Sequence, residues 1–174
     1  MDVIQTSLSV TEIHKELDLI QSCINRMANN SFLIKGWMIT LTAALVALLA
    51  DKVEVYIIAG LATVVIFCFW YLDGFFLKME RLFRAKYEWV IINRPKGSKE
   101  HLYDLKPNNS QMWLDPKMKP IIIPRMMFTK TLIPFYGVPF IIAVAALMWS
   151  LFFSCSPLAT PWYEVWFYAK ERIN

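Results

Sequence analysis

NNSFLIKGWMITLTAALVALLA, residues 29–50, is an apolar run with a lysine, Lys35, set inside its start. From Phe32 to Ala50 it is about 28 Å long as a helix, which just crosses a hydrocarbon core. DKVE (51–54) supplies a tight turn, and VYIIAGLATVVIFCFWYL (55–72) follows with no charge at all. The two runs therefore form a transmembrane hairpin. Beyond it, DGFFLKMERLFRAKYEWVII (73–92) keeps helical spacing through Phe76, Met79 or Glu80, Phe83 and Tyr87. The second helix is expected to continue into water, with Asp73 and Gly74 at the crossing point.

Upstream, Ile13, Ile20 and Met27 recur every seven residues and Leu17 and Ile24 fill the same face, so one helix is expected from Thr11 to about Asn30. Ser9 or Thr11 can cap it, and Glu12, Glu16 and Asp18 suit its positive end. Its apolar stripe can pack on the rest of the chain or associate between chains. Downstream, Pro95 and Gly97 end the second helix, and the segment to about Pro124 reads as loops with a short hairpin around HLYDLKP (101–107). A third apolar run, residues 131–153, is long enough to span with some tilt, with kinks expected at Pro134, Gly137 and Pro139. The tail TPWYEVWFYAKERIN (160–174) alternates aromatic and polar groups, as interfacial helices do.

The chain is thus expected to be an all-α membrane protein of about three transmembrane helices. It would have an amino-terminal cytoplasmic helix (1–30), a hairpin (31–74), a basic juxtamembrane helix and loop segment (75–130), a third span (131–154) and an interfacial tail (155–174). Composition agrees: 57% of the 174 residues are apolar, more than a soluble domain of this size usually buries, and charge is concentrated outside the three runs. Fifteen of the 18 lysines and arginines precede residue 52 or lie between residues 78 and 130. Cytoplasmic segments retain such residues, so the amino terminus and residues 75–130 are assigned to the cytoplasm and the carboxyl tail to the outside of a cell inner membrane. The amino terminus has acids and no basic region before an apolar run, so it does not read as a signal peptide.

With that orientation Lys35 lies one turn into the membrane, where its stem can carry the ammonium back to the headgroups. The alternative is an ion pair with Asp73, which the antiparallel hairpin brings to about the same depth. Gly36, Thr40, Ala43, Ala47 and Ala50 form a stripe of small residues on the first span. Small residues let helix backbones approach in lipid, either within the chain, against Ala59 and Thr63, or between copies in a homo-oligomer. Lys78, Arg81, Arg84 and Lys86 lie just beyond the second span and suit anionic headgroups. An anionic ligand, nucleotide or nucleic acid stacking on Tyr87 and Trp89 is the weaker reading, because Glu80 and Glu88 oppose it.

Catalysis is not expected. Cys23, Cys68 and Cys155 occur singly, so neither a metal site nor a disulfide framework is encoded, and no cofactor motif is present. Arg94 and His101 have a spacing that resembles the Arg/His signature of HEPN ribonucleases, but Pro95 and Gly97 break the helix such a site requires. Thr40, Thr42, Thr63, Cys68 and Ser150 are the polar groups deep in the spans, and none is an acid or base of the kind a proton-coupled transporter uses.

The order of a helix EIHKELDLIQSCINRMANN (12–30), a hairpin from SFLIKGW (31–37) to FWYLDG (69–74), and a juxtamembrane helix FLKMERLFRAKY (76–87) resembles the SLATT-type two-span membrane effectors of prokaryotic anti-phage systems. The third span departs from that pattern. The resemblance implies an oligomeric effector that perturbs the membrane or forms a pore once triggered. The alternative is a non-enzymatic anchor or scaffold that recruits a cytoplasmic protein partner to residues 75–130.

Overall fold

The computed structural model describes residues 9–106 and 121–154, and every regular element among them is helical. Helix α1 runs from Val10 to Leu49, 40 residues without a break. Its start is a capping box: the Glu12 N–H donates to the Ser9 hydroxyl at 3.2 Å, and the Ser9 N–H donates to the Glu12 carboxylate at 2.8 Å. The division expected at residues 30 and 31 falls inside this helix. After the turn at 51–54, helix α2 (Val55–Asn93) passes through Gly74 without interruption. Each helix is about 60 Å long, twice the thickness of a hydrocarbon core, so one half of the hairpin suffices to cross a membrane.

A short 3₁₀ turn (Arg94–Lys96) follows α2 and ends on Gly97, whose φ of 84° is left-handed. Helix α3 (Ile123–Met127) leads into a π-helical turn (Ile133–Gly137) and then helix α4 (Val138–Ser154). The prolines explain the π turn. Pro139 has no N–H to give the Phe135 carbonyl and Pro134 none for Lys130, so the regular ladder is interrupted there.

Three helical segments are long and apolar enough to cross a membrane: one in α1, one in α2 and Ile133–Phe153. Most side chains in their apolar windows are exposed, including Phe32 (74%), Leu48 (67%) and Phe152 (73%). Water would oppose that exposure and lipid would not.

Helix α2 is the centre of the packing, with α1 along one face and α3, the π turn and α4 along another. Two separate cores result. In the half away from the apolar spans, Ile20, Cys23 and Ile24 of α1 close on Phe83 and Val90 of α2, so the seven-residue stripe of α1 packs within its own chain. Full burial of such an aliphatic side chain from water contributes about 1.5–3 kcal/mol, which accounts for the adhesion of this part. In the other half, Met38, Ile66, Trp70, Met127, Leu132 and Tyr136 form the second core.

The hairpin expected at HLYDLKP is not formed in its described part. Residues 101–103 form a turn and 104–106 are irregular, with His101 and Tyr103 at positive φ (52° and 56°). A buried ion pair, and not a second strand, ties this loop down through the Ser98 and Glu100 carbonyls and the Tyr103 N–H. The Glu16 carboxylate meets Arg94 through Nε (2.8 Å) and Nη2 (2.9 Å), and both side chains are fully buried. Arg94 Nη1 then donates to the carbonyls of Ser98 and Glu100, while the Tyr103 N–H donates to Glu16 at 3.2 Å. The interfacial helix expected in 155–174 lies outside the described residues.

Candidate functional site at the base of the membrane hairpin

Asp73 ends the uncharged run of α2 and is fully buried. An ionised carboxylate in that position needs a counter-charge and hydrogen-bond donors. Helix α1 supplies both from one face, since Ser31 and Lys35 are one turn apart. Lys35 Nζ lies 2.5 Å from Asp73 Oδ2, and the Ser31 hydroxyl donates to Oδ1. Lys35 also reaches the Ser31 hydroxyl at 2.8 Å and keeps a quarter of its side chain exposed. The structure therefore selects the ion pair over a lysine that only snorkels. The engagement of Ser31 also gives a physical reason why Asn29, Asn30 and Ser31 do not end α1.

The third span closes the same cluster. Trp70, one turn before Asp73 and Gly74 on α2, donates its Nε1–H to the Met127 carbonyl at 2.9 Å. Its ring lies nearly parallel to that of Tyr136, with centroids 6.3 Å apart, and meets Phe128 and Phe140 edge-on. Gly74 permits this approach, because a Cβ there would come within 2.8 Å of Met127 Cγ. The buried Tyr136 hydroxyl, brought inward by the π turn, lies beside the Asp73 carboxylate without full hydrogen-bond geometry. Trp70, Asp73 and Gly74 thus form one ridge of α2 on which all three candidate spans converge. Composition and spacing pointed to Lys35 and Asp73; Ser31, one turn from Lys35 on the same helix, was legible by the same spacing and was missed, whereas the contacts of Trp70 and Tyr136 depend on a distant segment whose docking no local pattern encodes.

The small-residue stripe lies elsewhere. Gly36, Thr40, Ala43, Ala47 and Ala50 are all exposed, and the buried side chains of this part of α1 are Ile34 and Met38. The expected alternative of packing on Ala59 and Thr63 is not what the chain does with the stripe. A Cβ on Gly36 would meet no atom within 4 Å. Of the deep hydroxyls, Thr63 donates to the Ala59 carbonyl at 2.7 Å and Thr42 faces Met38 Sδ at 3.9 Å, both within their own helices.

The basic cluster of α2 is dispersed by the structure. Lys86 is buried at the α1–α2 contact, so it is unavailable to headgroups, and Arg84 pairs with Glu80 one turn away at 2.8 Å. Arg81 remains exposed and Lys78 is half-buried. Arg94, read from spacing alone as one half of a nuclease signature, is consumed by Glu16. Its guanidinium also lies 5.2 Å from the Trp89 ring. Among the described residues no group of three or more His, Cys, Asp or Glu side chains could hold a metal ion.

Comparison of the chain with protein-family models, curated proteins and solved structures returned no match. What the geometry establishes is a helical protein with three helices that can cross a membrane, tied together at one buried, charge-paired junction.

Proposed function

We propose that the chain is an oligomeric membrane effector that perturbs membrane integrity, as the SLATT-type resemblance implies, in anti-phage defence at the inner membrane. The observation that supports this reading is the exposed stripe from Gly36 to Ala50, a close-packing surface on α1 that the described residues do not use. Three helices are too few to enclose a water-filled path, and the Thr63 hydroxyl bonds within its own helix. Any path for ions therefore forms between copies. In this reading the amino terminus and residues 75–130 face the cytoplasm, where most of the lysines and arginines lie.

The test is induction in bacteria with a potential-sensitive dye, beside Gly36→Leu. The expected outcome is depolarisation by the wild type and its loss in the variant at equal membrane abundance. Because a Cβ at residue 36 would meet no atom within 4 Å among the described residues, the loss would report on contacts between copies. Equal depolarisation by both would sink the stripe as the contact.

A second reading, a non-enzymatic anchor or scaffold, is favoured by the Glu16–Arg94 pair, which stiffens the helical extension that a cytoplasmic partner would dock on. It predicts an unchanged membrane potential on overexpression of either protein.

A further inference from the structure

Arg81 of α2, Arg125 of α3 and Lys130, three residues before the π turn, line one open cavity of about 390 Å³ together with Thr131. These residues are far apart in sequence, and the docking of α3 against α2 brings them to one place. Among the described residues, none of the three cations is in an ion pair, and the nearest acid along α2, Glu80, is taken by Arg84. Three like charges around one cavity repel, and an anion is the partner that relieves them.

The cavity lies beside the start of the third span, flanked by Phe128 (66% exposed) and Ile133 (44% exposed). Arg81 is about 12 Å along α2 from Asp73, and side chains on a helix lean toward its amino terminus, here toward the apolar run. The Thr129 hydroxyl donates to the Met126 carbonyl at 2.9 Å and in turn accepts from the Thr131 hydroxyl at 3.4 Å, so the donors left facing the cavity are the three cations. Two guanidinium groups and an ammonium around a common space form a donor set for tetrahedral phosphate oxygens.

We infer that this cavity is a phosphate-binding site, whose source is the headgroup of an anionic phospholipid or a free phosphate. The inference rests on the membrane reading of the three spans and is independent of effector activity. It replaces the linear cluster on α2 with a site built from two segments.

The full chain, extracted from vesicles of equal phosphatidylcholine and phosphatidylglycerol, is examined by native mass spectrometry for retained lipid. The wild type is expected to retain phosphatidylglycerol preferentially. Arg125→Gln/Lys130→Gln should weaken that retention by roughly thirtyfold, about a factor of five per charge. Glu80→Gln/Arg84→Gln removes the neighbouring ion pair without releasing an acid and should retain phosphatidylglycerol as the wild type does. Arg125 and Lys130 are exposed, so the double variant should unfold as the wild type does; Arg81→Gln tests the same site from the other helix. Displacement by added inorganic phosphate would assign the site to free phosphate, and persistence would assign it to the lipid; both uphold it. Absence from the wild type of both a phosphatidylglycerol preference and bound inorganic phosphate, or an equal loss in Glu80→Gln/Arg84→Gln, would overturn it.

Discussion

Arg94 illustrates how a single buried charge organises its surroundings. It makes four hydrogen bonds, two to the Glu16 carboxylate and two to loop carbonyls, and the loop that follows has two residues in left-handed backbone conformations. Arg94→Leu leaves Glu16 buried without its partner and is expected to destabilise the fold by about 3–5 kcal/mol. The Glu16→Leu/Arg94→Leu double variant should recover much of that loss, as denaturant unfolding in detergent would measure. If the single and double variants unfold alike, the pair is not what holds this end together.

Glu12 provides the pH-dependent counterpart at the residue scale. The Ser9 backbone N–H, and after it the Ser9 hydroxyl, hold its carboxyl below the ordinary 4.5. A carboxyl whose folded pKa is depressed stabilises above its unfolded value, and that contribution disappears as pH falls through the folded value. Amide exchange in the first turn of α1 should therefore rise, after correction for intrinsic rates, as pH drops below about 4.5. Ser9→Ala removes the hydroxyl and keeps the backbone N–H, so it should reduce this pH dependence, and Glu12→Gln should abolish it.

At the scale of elements, the two glycines of the hairpin have opposite roles. Gly74 is covered by Met127, and Gly36 faces outward with nothing near it. Gly74→Leu is expected to displace α3, break the Trp70–Met127 hydrogen bond and cost about 1–3 kcal/mol as an overpacked contact. Gly36→Leu should change monomer stability by no more than about 0.5 kcal/mol. Thermal unfolding of both variants in detergent separates them, and an equal effect would contradict the packing described. The kinks expected at Pro134, Gly137 and Pro139 take a particular form, a π turn that buries Tyr136 and Gly137.

For the whole molecule, the large exposed apolar area is the consequence of three helices arranged around one central helix. Single cysteines on α1, in a chain with Cys23, Cys68 and Cys155 replaced by serine, test whether copies cover the stripe. Ala47→Cys should give disulfide-linked dimers in membranes, and Leu48→Cys, exposed 100° around the helix, should give few. Equal cross-linking at both positions would mean that the stripe is not a contact between copies.

Hydrophobic run length is a local property, so the three apolar helices, the turn at 51–54 and the continuation of α2 beyond Asp73 could be read directly from residue order. The possible pairing of Lys35 with Asp73 could be read the same way, because an antiparallel hairpin fixes which positions share a depth. Which alternative prevails at such a depth depends on what else is buried there. Ser31 beside Lys35 on α1 makes the ion pair the outcome, and Trp70 meets Met127 and Tyr136 only through the docking of a segment some 60 residues away in the chain. The same applies to the charged residues of α2, whose pattern on the helix looked uniform. Tertiary packing buried Lys86, left Arg81 to face Arg125 and Lys130, and joined Arg94 to Glu16, because the cost of burying a charge is settled only by its neighbours in space.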